Sequence, residues 1–262
     1  MGTHKPNALR ILAVIPARYA ASRFPGKVLA PILQKPMVQW VFERVSRSHY
    51  IDEVWVATDH PKVREVVEGF GARVVMTSPA ARSGTDRIAE AVRHVPADII
   101  VNIQGDEPMI DAGAVDKAIE PLFHDDTIRV STLVRPAQNL EEMEDVNTAR
   151  VIFDQNHNAI YFTRGIIPYN RDVADRRRWL SEFTYFQHVG VYVYRKDFLL
   201  TFAAWPETPL EKIEKLEQLR ILEHGYKIHV VESDYVPICV DVPEDIPRVE
   251  AILRKELETR AK

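Results

Sequence analysis

Three cations and no acid fall within the segment Pro16–Lys27 (PARYAASRFPGK): Arg18, Arg23 and Lys27. A guanidinium offers a fork of donors that matches phosphate oxygens, and an ammonium acts as a compact point charge. Such a set suits a polyphosphate, although three basic residues could also decorate an ordinary surface loop. A second segment, Gln104-Gly105-Asp106-Glu107-Pro108, carries the opposite charge. Adjacent carboxylates after a glycine suit a hard divalent cation, which takes one or two protein carboxylates and completes its shell with water and phosphate. Neighbouring side chains on extended backbone point to opposite sides. One ligand is therefore expected, Asp106, with Glu107 capping or orienting; the plain alternative is a solvated acidic turn.

Both segments follow apolar runs. Ile11–Ile15 and Ile99–Ile103 read as strands buried on both faces. Between them the pattern alternates: a helix from Pro36 to Ser48, a strand Val54–Ala57, a helix Pro61–Phe70, a strand Arg73–Met76 and a helix Asp86–His94. This order predicts a doubly wound, mainly parallel α/β sheet, in which ligands bind outside the carboxyl ends of the strands. The two charged loops sit at such ends. Familiar glycine-rich phosphate loops do not fit: Val28 follows Gly26-Lys27 where a P-loop needs Ser or Thr, and no G-x-G-x-x-G follows Ile15.

The second half is less regular and is expected to form a mixed sheet. Strands are read at Arg129–Val134, Arg150–Phe153, Ala159–Thr163 and Val189–Tyr194, and helices at Leu210–His224 and from Pro243 onward. Asn170–Glu182 (NRDVADRRRWLSE) reads as an exposed, mobile excursion. The 262 residues are expected to form one domain, with a nucleotide half over about 11–135 and a second half over 136–252.

Composition narrows the function further. The formal charge of −4 argues against a general nucleic-acid or anionic-membrane binder. No apolar run approaches the roughly 18–20 residues of a membrane span, and the N-terminus lacks the apolar region of a secretory signal. Cys239, the single cysteine, cannot form an internal disulfide and points to a reducing compartment. It is expected to be a small buried hydrophobe.

The chain resembles the cytidylyltransferases that activate acidic sugars as CMP conjugates, and within them the 3-deoxy-manno-octulosonate (Kdo) cytidylyltransferase family. The motifs are PARYAASRFPGK (Pro16–Lys27), SGTDR (Ser83–Arg87), NIQGDEP (Asn102–Pro108), YFTRGIIPY (Tyr161–Tyr169), HVGVYVYR (His188–Arg195), PLEKIEKLEQLR (Pro209–Arg220) and VDVPED (Val240–Asp245). The resemblance runs from about Ile11 to Ile252. It implies a Rossmann-like nucleotidyltransferase fold and transfer of CMP from CTP to Kdo for lipopolysaccharide biosynthesis. It also implies Mg²⁺, a cytoplasmic location and a homodimer, without nucleic acid or membrane partners.

By the same resemblance, Arg18, Arg23 and Lys27 grip the triphosphate. Pro16, Ala17, Ser22, Ser83, Gly84, Arg87 and Gln104 hold the nucleotide, and Asp106 and Asp241 hold the metal. Arg164, His188, Tyr192, Glu217 and Gln218 face the sugar acid. On residue types alone, Asp241 could instead cap the helix near Pro243, and Glu217 and Gln218 could lie on a solvated helix face. Arg150 stands where the family usually has lysine, and Val193 and Cys239 where it has glycine-like positions. These departures bear on the choice among Kdo, 8-amino-Kdo and sialic acid. A nucleotide-binding module without catalysis is the reading from a different class.

Overall fold

Ile11–Pro16 (β1) is buried along its first five residues, none more than 2% exposed. A strand so apolar needs neighbours on both edges and layers on both faces. In a computed structural model describing residues 4–6, 8–20 and 24–260, β1 has those neighbours. The chain divides into two compact units, Pro6–Asp116 with Pro237–Lys262, and Lys117–Val236. The division differs from the halves read along the chain: the C-terminal segment returns to the first unit, and Val130–Pro136 belongs to the second.

In the first unit a short antiparallel hairpin, Pro31–Ile32 (β2) with Lys35–Pro36 (β3), follows β1. Its turn residues Leu33 and Gln34 have φ of 46° and 68°. Neither residue type advertises such a turn, which normally calls for Asn or Gly, so the hairpin is invisible to turn chemistry. The sheet continues with Glu53–Thr58 (β4), Arg73–Met76 (β5) and Ile99–Asn102 (β6). β1 lies between β6 and β4, with β5 beyond β4, and every pairing is parallel. The crossovers from β1 to β4 and from β5 to β6 therefore leave in opposite senses. A crevice opens where they part, at the carboxyl ends of β1 and β6. Register puts Val14 opposite Asn102, so the loops after Pro16 and after Asn102 start side by side.

The crossover helices are Met37–Val45 (α1), Pro61–Gly69 (α2) and Gly84–Val92 (α3). α3 begins two residues before the sequence expectation because Ser83 caps it, its Oγ accepting from the Asp86 N–H at 3.1 Å. A further helix, Ala112–Ile119, is not announced by the sequence pattern; Asp111 Oδ1 accepts from the Ala114 N–H at 2.7 Å at its start. The C-terminal helix Ile246–Arg260 packs Val249 and Leu253 onto Ile32, Met37 and Trp40.

The second unit centres on Val130–Pro136 (β7). Its other strands are Arg150–Phe153 (β8), Ala159–Thr163 (β9), Phe186–Arg195 (β10) and His229–Glu232 (β11). β10 runs antiparallel to β7 and β8, β9 antiparallel to β8, and β11 parallel to β7, which is the expected mixed sheet. The expected helix over Leu210–His224 is broken into Pro209–Glu214 and Leu219–Glu223, because Lys215 takes a left-handed φ of 55°. Nor is Asn170–Glu182 wholly exposed. Trp179 is 2% exposed, packs with Ala137, Met143 and Tyr185, and donates from Nε1 to the Val173 carbonyl at 2.6 Å. Its indole anchors a segment whose charges otherwise suggest a loose loop. Among the described residues no helix is long and apolar enough to cross a membrane.

Candidate active site

At the crevice of the first unit lies a cavity of about 370 Å³, lined by residues of both charged loops and of the start of α3. Pro16, Arg18, Lys27, Ser83, Gly84, Arg87, Gln104 and Asp106, all singled out in the sequence, line it. Ala17 is buried just behind, its N–H donating to the Ala57 carbonyl at 2.8 Å. Ser22 and Arg23 lie outside the described residues. The sequence reading missed Arg82, which also lines the cavity and pairs with Asp86 at 2.6 Å.

Close packing shapes the crevice. A Cβ on Gly105 would lie 3.0 Å from the Pro16 carbonyl oxygen, so the acidic loop can approach β1 only without a side chain there. A Cβ on Gly84 would come 3.2 Å from Pro16 Cγ, which brings the first turn of α3 onto the same proline. The positive dipole end of α3 thus opens into a cavity already rich in cations, an arrangement suited to phosphate.

Gly26 has a φ of 72°, and its N–H donates to the Tyr19 carbonyl at 2.8 Å. The Tyr19 ring stacks on His60 with centroids 4.0 Å apart, fastening the loop to the end of β4. This turn delivers Lys27, whose side chain is 12% exposed. Its Nζ donates to Asp106 Oδ2 at 2.6 Å and to Asp241 Oδ1 at 3.1 Å. Burial alone would lower the Lys27 pKa, but Asp106 and then Asp241 outweigh it and hold the ammonium above its ordinary range.

Asp241 arrives from more than a hundred residues away because the Val240 N–H donates to the Asp106 carbonyl at 3.0 Å. It does not cap the following turn. Asp245 takes that task, its Oδ2 accepting from the N–H groups of Asp241 and Val242 at 2.8 and 3.0 Å. Two carboxylates therefore converge on one cation. Such a pair fits a hard divalent ion that completes its shell with phosphate and water.

Arg87 is almost fully buried. Its Nη2 donates to Asp59 Oδ2 at 3.0 Å and its Nη1 to Thr77 Oγ1 at 2.5 Å, so two residues absent from the sequence reading fix its pose. Nothing in the spacing of Asp59, Thr77 and Arg87 signals their meeting. Gln104 Nε2 donates to Asn102 Oδ1 at 3.1 Å. Glu107 is buried rather than solvated. Cys239 is exposed, contrary to the expectation of a buried hydrophobe. Its sulfur nonetheless sits in a desolvated spot near Glu107, Asp106 and Asp241, and burial and those charges push the thiol pKa far up.

The second unit holds the remaining candidates. His188 and Tyr192 share one face of β10, their ring centroids 5.2 Å apart. The Thr132 hydroxyl donates to the Val191 carbonyl at 2.7 Å, so it accepts from His188 Nε2–H at 2.9 Å, which assigns that tautomer. Burial drives the His188 pKa down to about 3. The Tyr192 hydroxyl and the Gln218 Nε2 are buried without a hydrogen-bond partner among the described residues. The Tyr192 pKa is raised, first by burial, then by Tyr194 and Glu217. Orphaned buried polar atoms of this kind suit a ligand rich in hydroxyls.

Arg164 is placed differently from a carboxylate clamp. Its Nε donates to the Glu214 carbonyl at 2.8 Å, and its Nη1 to those of Val146 and Asn147 at 2.9 and 3.0 Å. Arg150, 1% exposed, donates in turn to the carbonyls of Arg164, Thr148 and Glu142 at 2.7, 2.8 and 3.1 Å. It acts here as an internal tie. Val193 is fully buried on β10.

A parallel α/β sheet with its cavity at the strand-order switch, lined by a basic loop, an acidic pair and a helix start, defines a nucleotidyltransferase. The Cytidylyltransferase family profile matches residues 12–228. A 3-deoxy-manno-octulosonate cytidylyltransferase of Syntrophotalea carbinolica is 51% identical, over 94% of this chain and 99% of its own. One of Geobacter metallireducens is 48% identical, over 92% and 96%. A solved CMP:2-keto-3-deoxy-manno-octonic acid synthetase complexed with CTP superposes with a TM-score of 0.88 at 38% identity, covering 94% of this chain and 99% of that one. The chain belongs to the 3-deoxy-manno-octulosonate cytidylyltransferase family. A 4-diphosphocytidyl-2C-methyl-D-erythritol synthase of Anaerococcus prevotii shares only the fold, at 15% identity and a TM-score of 0.61.

Proposed function

We propose that this enzyme transfers CMP from CTP to the anomeric hydroxyl of Kdo and releases pyrophosphate. The observation that carries the reading is the Lys27–Asp106–Asp241 constellation, whose Lys27 and Asp106 line the cavity of about 370 Å³, in a chain half identical to a Kdo cytidylyltransferase along nearly its full length. The anomeric oxygen attacks the α-phosphorus in line, forming one O–P bond as the bond to the β-phosphate oxygen breaks. Pyrophosphate leaves with that electron pair, and the hydroxyl proton passes to solvent. Catalysis of this kind is mostly positioning and charge stabilisation.

Arg18, Arg23 and Lys27 hold the triphosphate, and Lys27 offsets the charge that builds on the departing pyrophosphate. Ser83, Gly84, Arg87 and Gln104 hold the nucleoside side of CTP. Asp106 and Asp241 would hold Mg²⁺, which when bound would neutralise phosphate charge at the reacting group. The buried polar ends of Tyr192 and Gln218, with His188 and Glu217, take the sugar hydroxyls. Arg164 takes the sugar carboxylate only if it releases its carbonyl partners. A homodimer, formed through the second unit, and a cytoplasmic location belong to the same proposal; exposed Ile160, Tyr169 and Phe183 support the first.

The test is pyrophosphate release with CTP, Kdo and Mg²⁺, comparing wild type with Asp106→Asn. Loss of one preorganised charge at the reacting phosphate costs about a hundredfold or more in turnover. Wild-type turnover in the variant overturns the metal assignment, and sialic acid as the preferred acceptor overturns the substrate.

A further inference from the structure

Lys27 faces two partners. The basic loop presents it to a triphosphate, yet its ammonium lies between the two carboxylates offered to the metal, at 2.6 Å from Asp106 and 3.1 Å from Asp241. Two carboxylates and one ammonium leave a single net negative charge at the pair. A divalent ion entering beside that ammonium would meet like charge at close range in a half-buried spot, where screening by water is weak. We propose that Lys27 is the resident cation of the Asp106–Asp241 pair, which keeps free divalent ions out until the phosphates of CTP draw the ammonium away. Metal and nucleotide then enter together.

The geometry supports this with a route for the exchange. Gly26, at a φ of 72°, precedes Lys27, and the short 3-10 turn Lys27–Leu29 carries the residue at the cavity wall. Arg18 lines the same cavity, so a triphosphate bound there meets an exposed cation and can recruit Lys27 by a side-chain rotation, without moving the strands. Its Nζ gives up two carboxylates for phosphate oxygens of similar hardness. The exchange costs little when phosphate is present and much when it is absent. A bare pair of carboxylates would instead load a divalent ion at any time, with or without substrate.

This inference rests on the assignment of Asp106 and Asp241 as metal ligands, and its test needs neither sugar nor turnover. The probe is Mn²⁺, followed by the electron paramagnetic resonance of the free ion as full-length protein is titrated without nucleotide. Lys27→Met should bind Mn²⁺ at least tenfold more tightly than wild type, and Lys27→Arg, which keeps the charge, should stay within about threefold of wild type. Lys27→Gln serves as a second neutral variant should the methionine impair folding. The tighter binding should vanish in Lys27→Met/Asp106→Asn. Equal or weaker Mn²⁺ binding by both neutral variants overturns the proposal, as does a gain that survives the loss of the Asp106 charge. Product formation from CTP and Kdo by wild type is read separately, so failure of the resident-cation idea leaves the assigned reaction standing.

Discussion

Asp59 offers the sharpest mutational test of how the candidate nucleotide cavity is held, because among the described residues it is absent from the lining yet holds Arg87, which lines it. The guanidinium of Arg87 is 5% exposed and the Asp59 side chain 15%, with Nη2 3.0 Å from Oδ2. Asp59→Ala leaves a buried guanidinium whose other side-chain partner among the described residues is the neutral Thr77 hydroxyl. Removing one partner of a buried ion pair costs about 3–5 kcal/mol, since the remaining charge stays desolvated. At roughly 2–4 °C per kcal/mol for a protein of this size, the melting midpoint should fall by on the order of 10 °C. Arg82→Ala, one residue before the Ser83 cap of the helix that carries Arg87, is the matched control. Arg82 itself is 50% exposed, against 5% for Arg87, so water screens its charge and the loss should stay under about 1 kcal/mol. Thermal and urea denaturation read the stability, and calorimetry with CTP reads the cavity. CTP affinity should drop in Asp59→Ala, because Arg87 lines the cavity from a pose that Asp59 fixes. A loss no greater than that of Arg82→Ala would refute the claim that the Asp59–Arg87 pair supports this wall.

Gly105→Ala drives a methyl group to 3.0 Å from the Pro16 carbonyl, and the loop must shift by several tenths of an ångström. A cost of about 1–3 kcal/mol and weaker CTP binding are expected, measured by denaturation and calorimetry. His188 gives a pH signature. Its pKa is about 3 folded against an ordinary 6.5, so below pH 6.5 the unfolded chain binds the proton that the folded chain refuses. Stability should therefore be complete above pH 6.5 and decline as pH falls toward 3, and His188→Gln should flatten that part of the urea-denaturation profile.

Much of the site was legible because its chemistry is local. A basic run and an acidic run, each directly after an apolar strand, sufficed to place Arg18, Lys27 and Asp106 at one cavity. Asp241 was reachable only through resemblance, since a single backbone bond from Val240 to Asp106 brings it there and no spacing rule spans that distance. Asp59 and Thr77 were missed for the same reason. The parallel strands of the first unit were read nearly to the residue because continuous apolar runs leave few alternatives. The failures came where tertiary contacts override local signals. Lys215 breaks a helix while Glu211 and Arg220, on either side, meet as a buried ion pair. The indole of Trp179 holds a segment whose neighbours are mostly charged, and Cys239 lies exposed on a stretch too short of pattern to place.

The central claim is that one CTP and one Kdo give CMP-Kdo and pyrophosphate by attack at the α-phosphorus. Phosphorus NMR of the reaction mixture tests it most directly. The three CTP resonances should decline together while pyrophosphate and one new phosphodiester resonance grow in equal amounts, and only when Kdo is present. Release of inorganic phosphate, or loss of CTP at the same rate without Kdo, would contradict it.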